Sequence, residues 1–196
     1  MANEVLIQDV AGSSLAQIRF FVTGSFVPAD SATDWTIGTP TDVVLTLAAV
    51  AAGAGRQSTK VDLGAVRAPS YSVLGCVDFT GEAAMVSGEL IEYWWLPSTH
   101  TTAANGNVAG NSGVDGDAPA GPVPAGITLA EFKVMGIYIG ALVITDDGAV
   151  QNGYVGTFSP PTRYGQLLVI NATTDAFEAD DVEMHQVMNP IVHEIQ

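Results

Sequence analysis

Three histidines, one cysteine and several acidic clusters are the residues of this chain whose types could support catalysis or metal binding. His100, His185 and His193 have no metal-ligand spacing to one another or to Cys76. The chain has neither the nucleophile elbow of hydrolases nor the glycine loop that cradles phosphates. His185 and His193 flank Met188-Asn189-Pro190, which favours an edge strand or an interface over metal ligation. We therefore predict a protein that is not an enzyme and needs no cofactor.

Acidic clusters provide the hard oxygen ligands that calcium prefers. They are Asp146-Asp147, Asp115-x-Asp117 and Asp175-x-x-Glu178-x-Asp180-Asp181. None has the spacing of a known calcium loop, and solvated acidic turns are the commoner explanation of such clusters. Calcium at Asp146 and Asp147, or at Asp175, Asp180 and Asp181, is therefore a secondary hypothesis.

The sequence gives no indication of export or membrane insertion. Its N-terminus, MANEVLIQDV, lacks a basic region followed by an apolar core, and the most apolar window, Val43 to Ala54, is too short to span a bilayer. Cys76, the one cysteine, lies in the apolar run YSVLGCVDF, where a buried and unreactive thiol is expected. We predict a soluble protein that is made in a reducing cytoplasm, or leaves the cell by lysis, and has no membrane partner.

The charge balance argues against nucleic acid as a direct partner. The chain has 21 acidic and 6 basic residues and a formal net charge of −15. Such a field repels phosphate backbones, so direct binding to nucleic acid is not expected. Only 14% of residues are charged while 47% are hydrophobic, which is typical of a folded subunit whose surface is rich in interfaces.

A long low-complexity segment, Pro97–Ala130, lies between two predicted strands. We call this segment the central tract. It contains no Lys or Arg, a single acidic pair at Asp115 and Asp117, and many Gly, Ala, Asn, Thr and Pro residues. Compact domains rarely contain so long a connection unless it is functional or disordered. We predict that the tract is unstructured in the free chain and becomes ordered on a neighbouring one; a solvated surface loop is the alternative.

Hydrophobic periodicity predicts strands nearly everywhere and no convincing helix. The predicted strands are Glu4–Val10, Ile18–Phe26, Asp42–Ala48, Ser58–Leu63, Tyr71–Thr80, Met85–Trp95, Phe132–Ile144, Val150–Phe158, Gln166–Asn171 and Val182–Glu194. Alternating charged and apolar residues in Glu89–Leu96 indicate one solvent-facing and one buried face. Asp146-Asp147-Gly148 predicts a tight hairpin. A helix over Thr41–Ala54 is the weaker alternative to a strand there.

Many short strands separated by frequent turn signals favour an antiparallel β-sandwich over a parallel α/β sheet. We predict an all-β, jelly-roll-like sandwich with one long loop rich in Gly, Ala, Asn and Pro. Residues 41–196 are expected to form this single domain, with the loop at 97–130. Residues 1–40 are expected to form N-terminal strands that serve as an attachment segment.

Several short motifs resemble those of small structural proteins of tailed bacteriophages. They are Gly55–Ala65 (GRQSTKVDLGA), Glu92–Ser98 (EYWWLPS), Arg163-Tyr164-Gly165, Val182-Glu183-Met184 and Pro190-Ile191-Val192. The resemblance covers most of the chain and is weakest in the first forty residues. It implies a virion component and makes the N-terminal part the expected site of attachment.

The resemblance implies a capsid decoration or cement protein, a class that is non-enzymatic, β-rich and often trimeric. Such a subunit binds the major capsid protein on the outer surface of the phage head and stabilises the lattice through contacts that gain from avidity. We therefore expect a homo-oligomer, with a trimer as the first expectation. The expected interface residues are Phe20, Phe21, Phe26, Trp35, His100, Asn105 and Asn111.

A glycan-binding jelly-roll module of a phage fibre or tail is the alternative. Sugar rings stack on exposed aromatic faces while carboxylates and amides bind their hydroxyls. Trp94, Trp95 and Tyr138 could form such a platform. Because adjacent residues of a strand point to opposite faces, one of the two tryptophans is expected in the core.

Overall fold

The computed structural model describes residues 16–22, 35–65, 67–81, 85–145, 150–180 and 183–191. In chain order the elements are β1 (Ile18–Phe21), β2 (Thr41–Val44), β3 (Gly55–Gln57), β4 (Val61–Asp62), β5 (Ser70–Val77), β6 (Leu90–Ser98), β7 (Gly116–Asp117), α1 (Leu129–Lys133), β8 (Ile137–Val143), β9 (Gln151–Phe158), β10 (Tyr164–Ala172) and β11 (His185–Ile191), with a 3-10 turn at Val108–Gly110. These strands form two sheets, which confirms the all-β class.

In each sheet the order of the strands differs from their order along the chain. The first has the order β2-β1-β11-β5-β9, and the second has the order β7-β3-β10-β6-β8, with β4 also paired to β10. Paired strands are antiparallel except for β1 and β2, which are parallel. Since β1 pairs with β11, the described part of the N-terminal segment belongs to the same sheet as the last strand.

Residues from both sheets share one hydrophobic core, and a polar contact joins the sheets inside it. Tyr93 of the second sheet is fully buried, and its hydroxyl donates a hydrogen bond to Gln186 Oε1 of the first at 2.8 Å. Burial raises the pKa of Tyr93, so the hydroxyl keeps its proton and remains a donor. A Cβ at Gly75 would collide with this hydroxyl, so the residue facing Tyr93 must be glycine.

The central tract is folded onto its own chain. Lys60 Nζ donates hydrogen bonds to the backbone carbonyls of His100, Thr102 and Asn105 at 3.0, 2.8 and 2.8 Å. Three carbonyls around one ammonium group fix the first third of the tract in a defined conformation. The expectation that the tract is ordered only by a neighbouring chain is therefore wrong.

A second basic residue holds the middle of the tract. Arg56 of β3 forms ion pairs with Asp115 and Asp117, both at 2.9 Å. Asp115 Oδ1 also accepts a hydrogen bond from the Thr46 backbone at 3.0 Å. Because Asp115 directly precedes β7 and Asp117 lies in it, the ion pairs and the β3–β7 ladder act on the same short stretch.

The end of the tract and α1 cover part of the outer face of the second sheet. A second hydrophobic cluster lies between this cover and the sheet. Its buried members are Leu96, Phe132, Leu168 and Ile170. The helix begins at a capping box in which Thr128 and Glu131 each bond the other's backbone amide. The expected strand Phe132–Ile144 is therefore wrong at its start, since Phe132 is helical and β8 begins at Ile137.

Other expectations about local structure are confirmed in part. A strand, Thr41–Val44, replaces the helical alternative at 41–54. The expected strand at 58–63 is interrupted, because β3 ends at Gln57 and β4 is only Val61–Asp62. The expected hairpin turn at 146–148 and the strand at 4–10 lie outside the described residues. The strands on either side of that turn belong to different sheets, so they do not pair as a hairpin.

The own-chain contacts of the tract predict its behaviour in the free protein. Lys60→Met removes three charged hydrogen bonds, so we expect a stability loss of roughly 1–2 kcal/mol and faster amide exchange between residues 99 and 113. Hydrogen-exchange mass spectrometry and urea unfolding measure both effects. Lys133→Met, which removes a lysine outside the tract, is the matched control for exchange at residues 99–113. Unfolded-like exchange of the tract in the unsubstituted protein would contradict the observed docking.

Candidate interaction surface

The part of the second sheet that the central tract leaves open has an exposed apolar surface. Tyr93 and Trp95 of β6 face the core, so the residues that alternate with them face outward beside their partners on β8. We call this surface the apolar strip; its residues are Leu90 and Trp94 of β6, Tyr138 and Val143 of β8, and Val134 and Met135 directly before β8. Of the eight large hydrophobic side chains exposed in the described chain, five belong to the strip.

Trp94 is held in the strip by three neighbours. Its ring centroid lies 4.9 Å from that of Tyr138, and Lys133 Nζ lies 5.5 Å from the centre of its ring. Its Nε1 donates to Glu92 Oε2 at 3.0 Å, and the same oxygen forms an ion pair with Lys133 at 2.7 Å. The carboxylate beside the strip is therefore neutralised, and the indole is restrained by packing and by hydrogen bonding.

Two opposing effects set the pKa of Glu92. Burial favours the neutral acid and raises the pKa, while hydrogen bonds from Lys133 and Trp94 favour the carboxylate and lower it below the ordinary value. A carboxylate whose pKa is lowered by folding stabilises the protein above its unfolded-state pKa, and this contribution is lost as the pH falls through the folded-state pKa. The ion pair is therefore intact at neutral pH and weakens in acid.

The expected N-terminal interface residues lie mostly inside the fold. Phe20 is fully buried in the core, and Phe21 is 8% exposed. Trp35 is partly buried, with its ring 5.3 Å from that of His185. Phe26 lies outside the described residues. Burial leaves Phe20 without a surface on which a partner could bind, so its role in this structure is to stabilise the core.

The expected interface residues of the central tract fall into two groups. His100 and Asn105 are exposed, although their backbone carbonyls bind Lys60. Asn111 is fully buried, and its Oδ1 accepts the backbone amide of Gly113 at 2.9 Å. Gly113 has φ +69°, and a Cβ there would collide with the Ala103 carbonyl. His100 and Asn105 therefore remain accessible, whereas Asn111 supports the fold of the tract.

The remaining sequence candidates are placed as structural residues. Cys76 and His185 are buried, and β11, which contains His185, runs between β1 and β5. An edge-strand position for His185 is therefore wrong, and His193 lies outside the described residues. The cysteine is free and buried, as the sequence predicted.

The described chain contains an acidic depression of about 490 Å³. It is lined by Asp78, Thr80, Gly81, Glu178, Asp180 and Glu183. Of the calcium candidates, Asp180 lines this depression, whereas Asp146, Asp147 and Asp181 lie outside the described residues. Within the described ranges, no group of three or more His, Cys, Asp or Glu side chains could hold a metal ion.

No helix among the described residues is long and apolar enough to cross a membrane. Comparison with models of protein families, with curated proteins and with solved structures gives no match.

Sequence reasoning identified Trp94 and Tyr138 but missed the rest of the strip. Trp95 is the buried member of the tryptophan pair, as the alternation predicted. Val134, Met135 and Val143 were missed because strand periodicity does not tell whether an outer face is covered. The detectable signal was the uncharged stretch from Val134 to Thr145 in a strongly acidic chain.

The pKa of Glu92 provides a direct test of this geometry. Lys133→Met should raise that pKa, because burial is then opposed chiefly by the hydrogen bond from Trp94. An NMR titration of the Glu92 carboxyl carbon measures the shift. Lys60→Met, whose contacts lie in the tract, is the control and should leave the value unchanged. An identical Glu92 pKa in the unsubstituted and Lys133→Met proteins would exclude the ion pair in solution.

Proposed function

We propose that this protein is a non-enzymatic structural subunit of a tailed-phage virion. In this proposal its two sheets form a jelly-roll-like β-sandwich, and it acts as a decoration subunit that binds the major capsid protein on the outer surface of the head. The resemblance of several motifs to phage structural proteins supports this assignment. A subunit that contacts several capsid proteins at once raises the free energy needed to separate them.

The observation that supports the structural, assembly-forming part of the proposal is the apolar strip. Soluble monomers rarely leave large contiguous apolar surface exposed, and such surface marks sites of protein association. Here it lies on a chain with a formal charge of −15, and the carboxylate of Glu92, which binds Trp94, is neutralised by Lys133. This arrangement favours binding to protein over binding to a charged ligand.

Particle composition tests the proposal. If the protein decorates the head, virions of the phage that encodes it contain on the order of hundreds of copies, and particles lacking it release DNA at a lower temperature. Quantitative mass spectrometry against the major capsid protein and a thermal DNA-release assay measure the two quantities. A protein missing from purified virions would refute the structural role, and a handful of copies would refute decoration of the lattice.

A glycan-binding module is the second candidate, and one observation favours it. Tyr138 is 50% exposed beside the partly exposed indole of Trp94, with the Glu92 carboxylate and the Lys133 ammonium next to them. Aromatic faces with adjacent polar groups are the arrangement that binds sugar rings. Against this candidate, Trp95 is buried, and the polar groups beside Trp94 already bind each other.

Glycan binding would depend on Tyr138. If this candidate is right, a glycan array yields a defined saccharide, and Tyr138→Ala abolishes its binding in calorimetric titration while Tyr154→Ala does not. Tyr154 is the matched control because it is a strand tyrosine of similar exposure, 61%, outside the strip. Binding that survives Tyr138→Ala would exclude the strip as a glycan site.

A further inference from the structure

Charge restricts which surface of this protein another copy can approach. Two chains of formal charge −15 repel each other, but salt limits the repulsion to about 8 Å at physiological ionic strength. The charges that border a contact therefore decide whether it forms. No charged residue occurs from Val134 to Thr145, and Glu92 is paired with Lys133. The strip itself is thus uncharged apart from the Glu92–Lys133 pair, with Glu89 beside Leu90 as the carboxylate at its aliphatic end, so like-charged copies can meet there once salt screens that charge.

The strip is also able to contact itself. Leu90 pairs with Val143 at one end, and Trp94 pairs with Tyr138 at the other. Side chains of both ends project from the same outer face of β6 and β8. A two-fold arrangement would lay the aliphatic end of one copy against the aromatic end of its partner, as isologous interfaces require.

We infer that a second copy of this chain covers the apolar strip. The inference rests on the proposed assembly function and names the partner of the same surface, leaving the capsid protein to bind elsewhere on the subunit. Stable interfaces bury about 800 Å² per partner through roughly 20 to 30 residues. The six strip residues form only the centre of such a contact. Self-association of the free protein is therefore expected at micromolar concentration. Avidity strengthens this association on a lattice.

Sedimentation velocity and light scattering over about 1–100 µM measure this association. The expected mass rises above the 20.3 kDa of the single chain as the concentration increases. Higher salt should strengthen the association, because it screens repulsion between the acidic copies. A mass of one chain across the whole range would overturn the inference.

Matched substitutions locate the interface. Val143 is 59% exposed in the strip, and Val114 is 47% exposed on the central tract. Val143→Asp should weaken association by at least about tenfold, because it buries an unpaired carboxylate, while Val114→Asp should leave it unchanged. Tyr138→Ser provides a second strip variant if Val143→Asp does not fold, which circular dichroism shows. Equal weakening by the strip and tract variants, or none by the strip variants, would overturn the inference.

This outcome is independent of the particle experiment. A protein that decorates virions but remains a monomer in solution, with strip variants that bind particles normally, would refute self-association and leave the virion role intact. A protein that associates through the strip but is missing from virions would support the interface and refute the virion role.

Discussion

The outer surface of this protein depends on the Lys60 ammonium group and its three carbonyl partners in the central tract. The chain has six basic residues, and two of them, Lys60 and Arg56, hold this one segment. A charged donor that satisfies several carbonyls is worth more than a neutral hydrogen bond, which suits a tract with little apolar surface of its own. With the tract in place, the outer face of the second sheet is divided into a covered part and the open apolar strip.

Much of the strand pattern could be predicted from the sequence because alternation is a local property. The expected strand at 71–80 is observed as Ser70–Val77, and the expected strand at 166–171 lies within Tyr164–Ala172. The short helix was missed although its capping box, Thr128-x-x-Glu131, is visible in the sequence. Its five residues are too few to establish a helical period, so the apolar residues after it were read as one strand.

The docking of the central tract could not be predicted in this way, because its contacts join residues that are distant in the chain. Lys60 and His100 are 40 positions apart, and Arg56 and Asp117 are 61 positions apart. A signal was present, since Asp115 and Asp117 are the acidic pair of an otherwise uncharged stretch and are natural partners for a basic residue. Predicting the strip needs the same tertiary information. The strip is exposed because the tract stops covering the outer face of the second sheet before β8.

In our proposal the open strip is an assembly surface rather than an ordinary solvent-exposed face. If the proposed virion role holds, cryo-electron microscopy of intact virions shows in a single map where the subunit lies and what touches Tyr138 and Val143. Density for the two-sheet fold should then occur at repeated positions on the head lattice, with these side chains buried between neighbouring copies and the central tract folded on its own chain. A map in which the fold occupies the lattice with the strip facing solvent would rule out an assembly role for the strip.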